Sequence, residues 1–174
     1  MRLIGLDPGL RHTGWGVVDM DRGHLAFVAC GRVSPPPGDS IALRLRAIHD
    51  GLAAVLRRHA PDSAAIEETF MNRNPAAALK LGHARGAAIL AAAVHGLEVA
   101  SYSARSVKQA VTGAGGAGKE QVAAMVRVLL PGCGAVDADA ADALAVAVCH
   151  GHSLDTARRI AGVPAAAGMP GAGR

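Results

Sequence analysis

Aromatic side chains are almost absent from this chain: Phe 2, Tyr 1 and Trp 1 in 174 residues. Half the residues (51%) are nonetheless hydrophobic. The core must therefore be assembled from alanine and aliphatic side chains, and an aromatic in an exposed place calls for an explanation. Cysteine is scarce too. Cys30, Cys133 and Cys149 form no C-x-x-C pair, which argues against a disulfide framework or a zinc knuckle and suits a reducing, cytoplasmic setting. No long uncharged apolar run exists: the alanine-rich stretch 76–95 is interrupted by Lys80, His83, Arg85 and His95, so no transmembrane helix and no membrane partner is expected. The N-terminal Met1–Asp7 segment is charged too early for a secretory signal. Runs of one charge sign are missing as well. The formal charge of +4, from 18 basic and 14 acidic residues, permits a nucleic-acid partner without requiring one.

What is present fits one compact domain. Leu3–Leu6 reads as a short buried strand that ends at Asp7, where Asp7-Pro8-Gly9 forces a turn. Residues 14–19 and 25–33 read as a hairpin around Asp21-Arg22-Gly23. Ile41, Leu45, Ile48, Leu52 and Val55 share one stripe of a helix over about 40–59. Ser63–Ile66 is a second buried strand, leading into Glu67. Asn74-Pro75 starts a helix that runs to about His95, with Ala78, Gly82 and Gly86 forming a smooth ridge for close packing. Leu97–Tyr102 is a further strand, and Ser103 caps a short helix ending near Gly113. Helices follow over about 119–130 and from about Asp137 to near His150. This order predicts an α/β fold with a mixed five-stranded sheet flanked by helices. Residues 1–155 are assigned to that domain, and 156–174, rich in Ala, Gly and Pro, to a disordered tail.

The chemistry lies in the acids. Asp7 and Glu67 each end a buried strand, and ligands of open α/β sheets gather beyond the carboxyl ends of strands. Asp139 and Asp142 are three apart on a helix, which puts both on one face with Cβ atoms about 5–6 Å apart. Asp137 is assigned as that helix's cap. Each acid alone has a plain explanation: a turn former, a first-turn acid, a solvated surface group. Two strand-end acids together with an i, i+3 pair favour a common site. Carboxylates so gathered raise one another's pKa unless a cation intervenes, and an all-oxygen donor set suits Mg²⁺, with Mn²⁺ as a substitute. Two such ions about 3.5–4 Å apart can activate water and stabilise the leaving oxygen of a phosphodiester.

Two features look like sites and are read otherwise. Gly113–Lys119 matches seven positions of a phosphate-binding loop, but the eighth is Glu120 and the loop follows a helix. His150-Gly151-His152 is read as exposed polar punctuation at a helix end rather than a metal site.

Six ordered blocks carry a family resemblance: Ile4-Gly5-Leu6-Asp7-Pro8-Gly9 with Thr13-Gly14-Trp15-Gly16; Ala65-Ile66-Glu67 with Phe70; Ala78–Gly86; Val107-Lys108-Gln109; Lys119 with Gln121-Val122; and Ala138–Ala145. Across about residues 1–152 the chain resembles the RuvC family of Holliday junction resolvases. The resemblance implies a ribonuclease H-like fold and a homodimer. It also implies symmetric cutting of four-way junction DNA to give 5′-phosphate and 3′-hydroxyl nicks, and cooperation with the RuvA–RuvB branch-migration complex. It places two Mg²⁺ per active site on Asp7, Glu67, Asp139 and Asp142, supportive lysines at Lys108 and Lys119, and a base-stacking aromatic at Phe70. Stacking on an unpaired base contributes about 1–3 kcal/mol; a core role is the plainer reading of Phe70. Arg73, Lys80 and Arg85 are candidates for DNA-backbone contacts. Two rival readings stand beside this one. An ATPase with an actin-like phosphate loop would need a second subdomain for which 174 residues leave no room. A junction-binding protein without nuclease activity would have no need of all four acids.

Overall fold

The computed structural model describes residues 1–68 and 74–162. Its elements, in order, are β1 (Arg2–Asp7), β2 (Thr13–Asp21), β3 (His24–Val33), α1 (Ile41–His59), β4 (Ser63–Glu67), α2 (Pro75–Val94), β5 (Val99–Tyr102), α3 (Ala104–Thr112), α4 (Lys119–Leu129) and α5 (Ala138–Ala161). The sheet order is β3-β2-β1-β4-β5. β1 and β2 pair antiparallel, as do β2 and β3, whereas β4 runs parallel to both β1 and β5. This is the mixed five-stranded sheet the sequence pattern predicts.

Alternation along the strands divides the core into two layers. Leu3, Val18, Met20 and Ala65 pack against α3, α4 and α5. Ile4, Leu6, Val17, Ala64 and Ile66 face α1 and α2. The same period of two puts Gly5 and Asp7 of β1, and Ser63 and Glu67 of β4, on the α5 side. Both strand-end acids are thereby aimed at the helix that carries Asp139 and Asp142.

Close approach of α5 depends on missing side chains. A Cβ at Gly5 would collide with the backbone of Ala143 and Ala147, and one at Gly14 with the Asp139 carbonyl. One at Gly16 would lie 2.9 Å from Leu144 Cα. These strand glycines let the helix backbone rest directly on the sheet.

Four expectations need correction. α5 does not stop near His150 but continues to Ala161, so residues 156–161 are helical. Leu154 packs on the core, and Asp155 pairs with Arg159 at 2.7 Å. Gly151 is a packing residue against Leu3 and Leu25 rather than a stop. His150 is not exposed punctuation. It is 3% exposed, with Nε2 2.8 Å from Ser63 Oγ and Nδ1 2.9 Å from Tyr102 OH. The α2 ridge does not pack tightly on the chain's own sheet, since a Cβ at Gly82 or Gly86 would meet nothing within 4 Å; the alternative is a helix packed across a dimer. α2 is, by length and composition, apolar enough to cross a membrane (mean hydropathy 1.2), which the interrupted stretch 76–95 does not suggest. Here it lays Ala84, Ala88, Ala91 and Ala92 against the sheet. The last part of the assigned tail, 163–174, lies outside the described residues, as do Phe70 and Arg73.

Candidate active site

Parallel pairing of Leu6 with Ile66 brings the ends of β1 and β4 side by side, so Asp7 and Glu67 emerge as neighbours. Asp142 approaches from the first turns of α5, whose start is fixed by the Asp137 side chain accepting the Ala140 N–H at 2.9 Å. Asp137 is thus the cap that the sequence predicts. Lys119, the first residue of α4, donates from Nζ to Asp142 Oδ2 at 3.1 Å. Lys108 comes from α3. These five charged side chains line one cavity of about 240 Å³.

The charged forms of the cleft's acids are disfavoured by burial, reinforced by neighbouring carboxylates. Burial, then the carboxylates of Asp142, Glu67 and Asp139, push the Asp7 carboxyl up to about 7, with Lys119 pulling the other way. Burial and Asp142 also raise Glu67, against Lys119 and Lys108. The bond to Asp142 in turn raises Lys119. Lys119 is 81% exposed on its side chain, so its pairing is screened by water and offsets the carboxylates only in part.

Asp139 stands apart. It lines a neighbouring groove instead of the cleft and lies 3.8 Å from Arg32 of β3, which also approaches Asp137 at 3.9 Å. Its charge still reaches Asp7. Among the described residues no three of the His, Cys, Asp and Glu side chains approach closely enough to form a complete ion cage as they stand. Three acids share the cleft and the fourth is one helical turn away on the same helix.

Of the residues assigned to DNA, Lys80 is exposed beside the groove that holds Asp139. Arg85 is engaged within the protein: its Nε donates to the Glu67 carbonyl at 3.3 Å and its Nη2 to Ser101 Oγ at 2.7 Å. It therefore braces the end of β4. Gly5, Gly14, Gly16, Arg32 and His150 are the positioning residues that reasoning by type and spacing leaves out. The strand glycines are visible beforehand only as parts of a motif. Arg32 and His150 give no local signal.

Residues 3–150 match the family model described as crossover junction endodeoxyribonuclease RuvC. The crossover junction endodeoxyribonuclease RuvC of Paramagnetospirillum magneticum is 54% identical over 161 residues, covering 92% of this chain and 97% of its own. That of Rhodospirillum rubrum is 56% identical over 152 residues, covering 87% and 90%. Among solved structures, T. thermophilus RuvC in complex with Holliday junction substrate superposes with a TM-score of 0.81 at 36% identity, covering 90% of this chain and 96% of that one. The yeast mitochondrial resolvase Ydc2, at 11% identity and a TM-score of 0.62, shares the fold.

Proposed function

The chain belongs to the RuvC family of crossover junction endodeoxyribonucleases, with their ribonuclease H-like fold, and from this premise we propose how it cleaves. The reaction is hydrolysis of a DNA phosphodiester at a four-way (Holliday) junction, in recombination and repair. The observation that carries the assignment is the meeting of Asp7, Glu67 and Asp142 in one cleft with Lys108 and Lys119 at its wall.

The donor set fits divalent cations. It is all oxygen, and burial together with the neighbouring carboxylates makes Asp7 hold its proton up to about 7. Asp7, Glu67 and Asp142, joined by Asp139, would hold two Mg²⁺, with Mn²⁺ as a substitute. Such ions supply an activated water and stabilise the departing oxygen. The chain's own residues do the rest. Asp7 and Glu67 are fixed at strand ends and Asp142 on α5, so loading would draw in side chains rather than move the backbone elements that carry them. Arg85 holds the Glu67 backbone from below. Lys119, already turned toward the cleft through Asp142, and Lys108 place positive charge where a phosphate would sit. Asp139 completes the set by a side-chain turn away from Arg32.

The remaining features belong to the same proposal. Phe70 stacks on an unpaired base near the junction centre and Arg73 contacts the backbone, both on the strength of the resemblance. The chain works as a homodimer, with two cleavage sites acting symmetrically. The open face of α2, where Leu79, Leu90 and Val94 are 56–65% exposed around Gly82 and Gly86, supports a second copy packing there. The products are nicks with 5′-phosphate and 3′-hydroxyl ends, the setting is the cytoplasm, and RuvA–RuvB is the partner complex. The domain spans residues 1–155, with α5 extending beyond it. The test is a synthetic four-way junction beside a linear duplex of the same sequence, each with Mg²⁺ or chelator, followed by ligase. Junction-selective, Mg²⁺-dependent nicks that ligase seals are expected. Equal cutting of the duplex, or ends that ligase cannot join, would overturn the proposal.

A further inference from the structure

Beside the cleft runs a second depression of about 520 Å³, built from four separate elements. The β1–β2 loop contributes Gly9, Arg11 and His12, α1 contributes Arg44, and α2 contributes Lys80, while Asp139 of α5 stands in its wall. Asp139 faces this groove rather than the catalytic cavity, yet its charge reaches Asp7, which links the two sites electrostatically.

The groove is built rather than incidental. Thr13, fully buried, donates from Oγ1 to the Gly9 carbonyl at 2.8 Å and accepts the Gly9 N–H at 3.4 Å, which closes the loop on itself. His12 Nδ1 lies 2.8 Å from Ser34 Oγ. Arg44 reaches across from α1 and donates from Nη2 to the Leu10 carbonyl at 2.7 Å. That is one of the five N–H groups a guanidinium carries. Its Nε is buried without any partner among the described residues, an arrangement that costs free energy and leaves the group short of acceptors. Arg11 is exposed and makes no side-chain hydrogen bond among the described residues. Against these cations stands one carboxylate, Asp139, and Arg32 at 3.8 Å offsets part of its charge.

We propose that this groove is a phosphate-backbone site. In it Arg11, Arg44 and Lys80 hold the DNA strand on the far side of Asp139 from the scissile phosphate. The inference rests on the nuclease reading of the neighbouring cleft. An open trough whose cations come from three elements suits an extended polyanion, because a lone phosphate would leave most of it unfilled. The closed loop fixes the backbone that carries Arg11, and its Leu10 carbonyl anchors the Arg44 side chain, so less ordering entropy opposes binding. Strand and ions would also be coupled: a phosphate beside Asp139 is repelled until that carboxylate is neutralised.

The experiment uses the full chain and a synthetic four-way junction. Binding is measured in an Asp7→Asn background, with Mg²⁺, from about 50 to 200 mM salt. Every phosphate that is no longer neutralised by a side-chain cation flattens the log–log salt slope by about 0.9. Arg11→Ala and Lys80→Ala should each flatten the slope by about 1 and weaken binding several-fold at low salt, while thermal unfolding stays unchanged. The control is Arg57→Ala, which removes an exposed charge at the far end of α1 and should leave the slope as it was. Slopes for Arg11→Ala and Lys80→Ala equal to that of Arg57→Ala would overturn the groove assignment. Cleavage by the chain with Asp7 intact separates the two levels: if it cuts the junction normally while the slopes do not move, the groove is wrong and the nuclease reading stands. If it cuts nothing, the nuclease reading itself has failed.

Discussion

α2 and α5 have similar compositions and opposite fates. Both are long and alanine-rich. Eleven consecutive or near-consecutive residues of α5, from Ala140 to Gly151, are buried, and its backbone lies against Gly5, Gly14 and Gly16. α2 buries four alanines and leaves Leu79, Leu90 and Val94 in the open. The difference lies in where the glycines are. In the strands they remove the side chains that would hold α5 away. On α2 they leave a smooth outer surface. The helix that carries Asp139 and Asp142 is the one held against the sheet along its buried stretch, as the proposed site with fixed ligands requires.

The contrast between the two helices is most vulnerable at the strand glycines. Gly5→Ala and Gly14→Ala put a Cβ into the α5 backbone and should each destabilise by at least about 1–3 kcal/mol, with a fall in cleavage as α5 shifts. Thermal unfolding measures the first and a junction assay the second. Unchanged stability would mean that α5 does not touch the sheet there. His150→Ala should cost about 1–3 kcal/mol, because it strands Ser63 and Tyr102 and leaves α5 less firmly tied to β4 and β5. Unfolding in denaturant would read this, and a loss within error would demote the network.

Asp7→Asn tests the opposite side of the balance. Since Asp7 titrates at about 7 in the folded chain, above its ordinary 3.8, its ionisation opposes folding. The penalty is absent below about 3.8, grows as pH rises and is complete above about 7. In chelator at pH 8 the Asn variant should therefore be more stable than the unaltered chain by about 1–2 kcal/mol. That is less than the full equivalent of the displaced ionisation because the cleft is open to water. The gap should close on acidification towards pH 4. A gap independent of pH would remove the account of a buried Asp7 that resists ionisation beside other carboxylates. The smallest effect is expected on α2: Gly82→Ala should stabilise the isolated chain by about 0.5–1 kcal/mol, since the site is open and alanine favours helix. If a second copy packs there, sedimentation should show the same change weakening association.

Much of this was legible in advance because it follows from periodicity. A period of two aims Asp7 and Glu67 at one face, whereas the i, i+3 spacing places Asp139 one turn from Asp142 without bringing it into the same cleft. The strands, the sheet and the Asp137 cap come from the same local signals. What escaped depends on contacts distant in sequence. His150 looks like a surface residue until Ser63, 87 positions away, and Tyr102, 48 away, close around it. The turn of Asp139 towards the groove depends on Arg32 across the sheet. Residues 156–161 lack a clear apolar stripe, and their helix is held by Leu154 behind them and the Asp155–Arg159 pair. The α2 glycines show the limit most directly, since a small-residue ridge specifies smoothness but not what lies against it.

In the proposed mechanism, carboxylates gathered at the ends of β1 and β4 and at the start of α5 would hold the cations needed to cleave DNA. Its decisive test is binding and cutting of one labelled four-way junction, comparing the unaltered chain with Asp7→Asn in Mg²⁺. Both should bind, and only the unaltered chain should cut. Cleavage by Asp7→Asn at an undiminished rate, or cutting by the unaltered chain that persists in excess chelator, would refute the metal-held carboxylate site.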